Sequence, residues 1–382
     1  MIKNKIQIKD KRVCYVSNNF EIHDTRFLQK FSEFGMDVHA ISLKSDKIDD
    51  KEKISGIKYY EYHDYFSNHH ILKKLPALWF MVAYVYLRFT VNKINPDIIH
   101  SGYVPIVGFL SALLKNKPLV VMPWGSDILI DPKTSYIKKI MVQFALKRSD
   151  VICCDCQIVK KTIMSLINIH PKKIVVFPWG IDLNKFRPKE QLEINNKEIF
   201  TVISTRKFDE IYGVDRLVSA IPEIVKRNPK IKFKIMGGGN KENSFRKFVE
   251  DNNLSEFVEI SSFVSNTELL KHLRSSDIYI TTSYSDGTSL SLLEAMAVGL
   301  PIIATGIPAN REWIVDNANG FFINPKNPSV SVEEIIINSS KNPDKLRLMG
   351  KLNFQIAQKK ANWDYNFNKL LLTYETILKH EK

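Results

Sequence analysis

The chain has 382 residues, of which 44% are apolar and 25% charged, and its formal charge is +14. These proportions exclude a collagen-like, low-complexity or wholly disordered chain, and the length suits two domains of roughly 100–200 residues each. The charge is uneven: residues 1–190 hold 30 Lys and Arg against 18 Asp and Glu, whereas residues 191–382 hold 25 against 23.

The start, Met1-Ile2-Lys3-Asn4-Lys5, lacks the apolar stretch of a secretory signal. Four cysteines in so long a chain are no disulfide framework. A cytoplasmic location is expected, with the basic half allowing peripheral contact with the cytoplasmic membrane face.

Short apolar runs then alternate with helical periodicity. Strands are predicted at Arg12–Ser17, Val38–Ser42, Ile57–Tyr62, Asp97–His100, Leu119–Pro123, Val151–Cys154 and Ile174–Pro178. Two intervening stretches are basic and free of acids. Residues 65–96 carry Lys73, Lys74, Arg88 and Lys93, and residues 132–149 carry Lys133, Lys138, Lys139, Lys147 and Arg148. The first includes the longest apolar run, Leu75–Leu87, whose thirteen residues fall short of the ~20 that a membrane span needs. That run reads either as a core helix or as the apolar part of a membrane-facing surface. Aromatics interleave with the basic residues, but no RNP, KH or zinc-finger pattern supports nucleic-acid binding. Anionic lipid is the better acidic partner.

Residues 190–198 lose periodicity and read as a linker. A second series follows, with strands at Ile199–Ser204, Lys232–Met236, Val258–Ser261, Ile278–Thr282 and Pro301–Ala304. Alternating strands and helices predict parallel βαβ units. The expected α/β architecture is two doubly wound, Rossmann-like domains, 1–189 and 199–361, with ligands in the cleft between them. Residues 362–382 are expected to form a terminal helix with a buried stripe through Phe367, Leu370, Leu371, Tyr374, Ile377 and Leu378. One local echo stands out: Pro123-Trp-Gly-Ser-Asp127 and Pro178-Trp-Gly-Ile-Asp182 each follow a predicted strand.

The stretch richest in chemistry is Ser283-Tyr-Ser-Asp-Gly-Thr-Ser-Leu-Ser-Leu-Leu-Glu-Ala-Met-Ala-Val-Gly-Leu-Pro301. A strand ends near Thr282, and a helix opens near Thr288 or Ser289, both good N-caps, and stops at Gly299. The first-turn amides of such a helix suit an anion, and Gly287 lets a phosphate approach closely. Asp286 and Glu294 are eight residues apart, roughly 12 Å on a helix. They cannot share one proton or metal, but they suit the two ends of an elongated ligand with hydroxyls at each end and phosphates between, which is the form of a nucleotide-sugar.

Asp286-x7-Glu294 with the following Ala-Met-Ala-x-Gly-x-Pro301 resembles the E-x7-E segment of glycosyltransferase family 4, retaining nucleotide-sugar transferases with the GT-B fold. Three further segments resemble that family: Gly180-Ile-Asp-Leu-Asn-Lys-Phe-Arg-Pro188, Lys234-Ile-Met-Gly-Gly-Gly239 and Asn317-Ala-Asn-Gly-Phe-Phe322. The resemblance implies that Asp286 binds the transferred sugar, Glu294 the ribose, and Gly287, Thr288, Ser289 and Leu290 the sugar and phosphates. Arg206 falls on the diphosphate arginine, with Lys207 beside it; Gly237 lies at the glycine-rich turn and Val264 near the base. The terminal helix is implied to cross back to the first domain.

The sequence departs from the family at four places. The first carboxylate is Asp rather than Glu. Tyr212 stands where a second phosphate cation is usual, Trp124 where a His is common, and Asn18-Asn19 where a glycine pair follows the first strand. On the acceptor side Asn19, His23, His100, Trp124, Ser126 and Asp127 are candidates, with Asp127 favoured as the group that meets the reacting hydroxyl. Arg206, Asp286 and Asp127 are thus the expected catalytic residues.

No Asp-x-Asp occurs, and Cys153-Cys154-Asp155-Cys156 lacks a second ligand pair, so neither metal nor cofactor is expected. The implied activity is metal-independent hexosyl transfer from a nucleoside-diphosphate-sugar to a saccharide or lipid-linked acceptor, in cell-surface polysaccharide or glycolipid assembly. The rivals are an epimerase or phosphorylase of the same architecture, and a non-catalytic polyanion-binding protein.

Overall fold

The computed structural model describes residues 8–43, 53–62, 76–114, 117–189 and 198–380. All but the last residue of the expected linker 190–198, and the start of the Leu75–Leu87 run, lie outside them. The chain divides into two compact units, Met1–Phe177 with Phe367–Lys382, and Pro178–Asn366.

The first unit contains β1 (Arg12–Ser17), β2 (Asp37–Ser42), β3 (Lys58–Glu61), β4 (Ile98–Gly102), β5 (Leu119–Met122), β6 (Val151–Cys154) and β7 (Ile174–Val176). They form one sheet in the order β3-β2-β1-β4-β5-β6-β7, with every neighbouring pair parallel. Helices between the strands bury both faces, so Val13, Cys14, Tyr15 and Val16 are all fully buried whichever face they point to. Cys153, Cys154 and Cys156 are buried here, and burial pushes the Cys153 and Cys154 thiols up, away from reactivity.

The second unit contains β8 (Phe200–Ser204), β9 (Ile231–Met236), β10 (Val258–Ser261), β11 (Ile278–Thr281), β12 (Ile302–Thr305) and β13 (Gly320–Ile323), in the order β10-β9-β8-β11-β12-β13, again all parallel. Each sheet therefore reverses its winding once, between β1 and β4 in the first unit and between β8 and β11 in the second. β13 was not among the expected strands. It is short and starts at Gly320, just after Asn319, and Asn319-Gly320 reads as a turn. Asn319 is instead buried, donating to the Trp313 carbonyl and to Asn353 Oδ1, and this fixes the strand's entry.

The compact units divide at Phe177/Pro178, ahead of the expected boundary at 189. The segment from Pro178 belongs to the second unit because Ile181 donates to the Ala361 carbonyl and accepts from Trp363 N, while Phe186 is buried in that unit's core. Gly180 makes this pairing available: at φ +79° its missing side chain leaves room for the Ala361 carbonyl, which a Cβ would meet at 2.8 Å. The terminal helix Trp363–His380 is counted with the first unit from Phe367 onward. Phe367 and Tyr374 pack on Phe31, with ring centroids at 5.1 and 5.6 Å.

Candidate active site

In an open parallel sheet, the loops leaving two neighbouring strands diverge where the winding reverses, and the crevice lies at the carboxyl ends. In the second unit that place is above β8 and β11. Arg206 follows β8 and Asp286 follows β11, so the two residues picked out in the sequence meet there. The Arg206 guanidinium donates through Nη2 to Asp286 Oδ2 at 2.6 Å, and through Nη1 to Ser289 Oγ and to Ser291 Oγ, the latter at 3.1 Å. Its Cζ lies over the Tyr212 ring, 4.2 Å from the centroid.

Local sequence sets this geometry. Helix Leu290–Ala297 starts at Ser289, whose hydroxyl accepts from Leu292 N, and stops before Gly299 at φ +83°. The serine that caps the helix is therefore also a partner of Arg206. Tyr279 of β11 donates to Ser291 at 2.8 Å. The glycine turn after β9 packs under Arg206: a Cβ on Gly237 would sit 2.3 Å from the Arg206 carbonyl oxygen. The need for glycine at that position thus arises inside the protein.

Arg206 is 8% exposed. Burial opposes its charge, but the Asp286 carboxylate and the neighbouring Tyr279 and Tyr212 hydroxyls hold the proton on. Burial pushes the Asp286 carboxyl up, and the guanidinium and the Gly287 amide act against this. The result is a mostly enclosed ion pair at the mouth of a helix N-terminus, with the cation's remaining bonds going to hydroxyls. Such hydroxyls yield readily to phosphate oxygens.

The other expected donor residues fall around this pair. Gly287, Thr288 and Ser289 are buried in the loop and cap, and Leu290 and Glu294 are half-buried on the helix. Lys207 is exposed, and Val264 is half-buried, packed against the core cluster that contains Met236. Ser291 and Tyr279 were missed by sequence reasoning, and Tyr212 was noted only as a missing cation. The run Ser289-x-Ser291 after Asp286 was the available signal for Ser291.

In the first unit the acceptor-side candidates separate into two groups. Asp127 is 0% exposed; its Oδ1 accepts from Trp124 N and Gly125 N, and its Oδ2 from Val104 N, at 2.9–3.1 Å. Burial pushes its carboxyl up to about 6 against the pull of those three amides. His100 is also 0% exposed, stacked on Tyr15 with Nδ1 at 2.5 Å from the Tyr374 hydroxyl, and burial pushes it down to about 3. Asp127, expected to meet a reacting hydroxyl, and the further candidate His100 are thus both buried within the first unit. Both side chains are sealed into the fold and engaged there.

His23, Trp124, Ser126 and Asn19 keep surface. Asn19 and Ser126 are exposed, and the His23 and Trp124 rings lie 5.3 Å apart, each half-buried. The Trp124 indole covers Gly102 at the end of β4; a Cβ there would meet its Nε1 at 2.7 Å. Among the described residues no three or more His, Cys, Asp or Glu gather where they could hold a metal ion.

Residues 184–351 match the family of glycosyl transferases group 1, and residues 12–156 match glycosyl transferase 4-like proteins. The chain belongs to the family 4-type glycosyltransferases. This glycosyltransferase is 28% identical to an uncharacterized glycosyltransferase of Methanocaldococcus jannaschii, over 77% of this chain and 79% of that protein. It is 24% identical to the alpha-monoglucosyldiacylglycerol synthase of Acholeplasma laidlawii, over 70% and 72% of the two chains. Its fold is that of the sucrose-phosphate synthase of Thermosynechococcus elongatus, with a TM-score of 0.80 at 16% identity, covering 97% of this chain and 100% of that one. It also matches Anabaena HepE in complex with UDP and glucose, with a TM-score of 0.74 at 14% identity, covering 97% and 99%. The two-domain GT-B architecture expected from the sequence is thus the one adopted.

Proposed function

We propose that this glycosyltransferase moves a hexosyl group, with retention and without a metal, from a nucleoside-diphosphate-sugar to a hydroxyl of a lipid or lipid-linked saccharide. The observation that carries the donor half is the Arg206–Asp286–Ser289 cluster at the winding reversal of the second sheet. A guanidinium stays charged and presents a planar fork suited to phosphate oxygens, so Arg206 would neutralise the departing diphosphate. The amides at the start of helix Leu290–Ala297 would share that charge. Asp286, once Arg206 turns to phosphate, is left to accept hydrogen bonds from sugar hydroxyls. Glu294 would take the ribose.

The lipid side of the reading is supported by the relative that makes a glycosylated diacylglycerol. UDP is the first nucleoside diphosphate to test, because Anabaena HepE binds it. In the first unit we assign the acceptor hydroxyl to His23 beside Trp124, since His23 is the titratable candidate that keeps surface.

The deciding experiment is a thermal-shift screen of nucleoside diphosphates and their sugar conjugates, followed by product analysis with diacylglycerol and polyprenyl-diphosphate acceptors. One base and sugar should raise the midpoint by mass action, and the product should keep the donor's anomeric configuration. Donor turnover that needs free phosphate, or proceeds with no acceptor, would replace this reading with a phosphorylase or an epimerase.

A further inference from the structure

Five non-glycine residues hold a positive φ among the described residues, and four of them are Asn or Asp, which tolerate it. The fifth is Tyr103, at φ +54° and ψ +89°. It directly follows β4, so a bulky residue in strained backbone stands at the carboxyl ends of the first sheet, where its winding reverses. Strain of this kind persists only where the surroundings hold it, and it gathers at functional sites. Here the surroundings do hold it. The next residues, Val104–Gly108, form a single turn of π-helix, itself a rare form. Val104 N donates to Asp127 Oδ2 at 3.1 Å, and Gly108 N donates to the Tyr103 carbonyl at 3.3 Å. The buried acid that closes the Trp124-Gly125 turn thus also fixes the backbone that aims Tyr103.

The side chain is held as well. The Tyr103 hydroxyl donates to Asp131 Oδ2 at 3.0 Å, and Lys138 Nζ donates to Asp131 Oδ1 at 2.6 Å. Burial and the Asp131 carboxylate push the phenol up, so it remains a donor. Tyr103, Asp131 and Lys138 are each half-buried, unlike the sealed Asp127 and His100. The neighbours at these strand ends are of the same kind. Trp124 supplies a second ring over Gly102, and Asn19 and Ser126 are exposed polar groups.

We propose that Tyr103 is a specificity-determining residue that packs against a sugar ring of the acceptor, with Asp131 and Lys138 as its positioning residues. The lining selects the occupant. An aromatic face covers the C–H face of a pyranose, while amide, hydroxyl and charged groups beside it exchange hydrogen bonds with the sugar hydroxyls. The acyl chains of a bare diacylglycerol would instead desolvate those polar groups without satisfying them. The inference rests on the first unit being the acceptor side, as proposed above, and narrows the acceptor to one that presents a saccharide.

The test is steady-state transfer by the full-length protein, from the nucleotide-sugar with the largest thermal shift, to dioleoylglycerol, its α-glucoside and N-acetylglucosaminyl-diphosphoundecaprenol. The wild type should favour a sugar-bearing acceptor at least about tenfold over dioleoylglycerol. Tyr103→Ala should raise the KM for that acceptor about tenfold, with the KM for the donor and the nucleoside-diphosphate thermal shift unchanged. Tyr103→Gly should lose acceptor affinity equally, yet melt about 2–4 °C above Tyr103→Ala, because glycine takes this φ without strain. A residue kept for packing alone would leave the acceptor KM where it is. The proposal is overturned if the folded Tyr103→Ala variant keeps the wild-type acceptor KM, if the two variants melt alike, or if the wild type prefers dioleoylglycerol or uses neither sugar-bearing acceptor. A wild type that no nucleoside diphosphate stabilises would instead overturn the donor reading, and this inference with it.

Discussion

Two aspartates sit just past strand ends in the two units and meet different fates. Asp286 leaves β11 and is left with a guanidinium as its main partner, under a helix cap lined by hydroxyls. Asp127 follows β5 and is closed in by its own turn, with three backbone amides filling its oxygens. An acid whose partners are amides is a structural staple, because those amides have nowhere else to donate. An acid whose partner is a side-chain cation can be released when that cation turns to another anion. Position at a strand end proposes a candidate, and the partner decides it.

The largest test of that distinction is Arg206→Ala. Transfer should fall about 10²–10³-fold, the usual loss when one preorganised donor to a developing anion is removed, and the thermal shift given by nucleoside diphosphates should disappear. Arg206→Lys should recover only part, since an ammonium lacks the planar fork. If Arg206→Ala turns over normally, the cluster is not the donor site.

Asp286→Asn separates the two halves of the pair. Turnover should fall about 10²-fold, since a charged acceptor for sugar hydroxyls is lost. Affinity for the sugarless nucleoside diphosphate should instead rise about fivefold, because Arg206 no longer leaves a charged partner to bind phosphate. Calorimetric titration with nucleoside diphosphate reads the second effect, and a drop in affinity would show that Asp286 positions Arg206 rather than competing for it.

Asp127→Ala should behave in the opposite way. Three buried amides lose their acceptor, so unfolding by urea should show a loss of roughly 2–3 kcal/mol. The nucleoside-diphosphate thermal shift should persist in the folded protein. Unchanged stability with lost turnover would restore Asp127 as a reacting group.

The fold was legible because parallel strands buried on both faces read as unbroken apolar runs, as Val13–Val16 and Ile278–Ile280 do. The donor loop was legible because Asp286, Ser289 and Gly299 lie close in sequence and each marks a local feature: a turn, a cap and a stop. Tyr212 was not, since it meets Arg206 through its ring face, and a cation–ring contact between two segments has no spacing in the chain. The boundary at Phe177 was hidden for a similar reason. Composition shifts at 190, but the pairing of Ile181 with Ala361 and Trp363 crosses half the sequence. For Asp127 and His100, residue type and strand position were read correctly, while burial depends on what packs above them: the turn Trp124-Gly125 in one case, and Tyr374 of the terminal helix in the other.

His100 offers the smallest and most specific check on that burial. Its folded value near 3 lies below the ordinary 6.5 of histidine, so below pH 6.5 the unfolded chain takes up a proton that the folded one refuses. The stability associated with a neutral His100 is complete above pH 6.5 and is lost as the pH falls toward 3. His100→Phe has no such group, but it strands the Tyr374 hydroxyl, so it should be less stable than the wild type at pH 7. That deficit should shrink by about 2 kcal/mol between pH 6.5 and pH 5, at 1.36 kcal/mol per unit. Asp24 and Asp127, both pushed up to about 6 by burial, titrate in the same range with the opposite sign, but they are present in both proteins and cancel in the difference. Urea unfolding of the pair at pH 7, 6 and 5 measures it. A gap that stays constant would mean that the imidazole reaches water, and His100 would then rejoin His23 among the groups open to an acceptor.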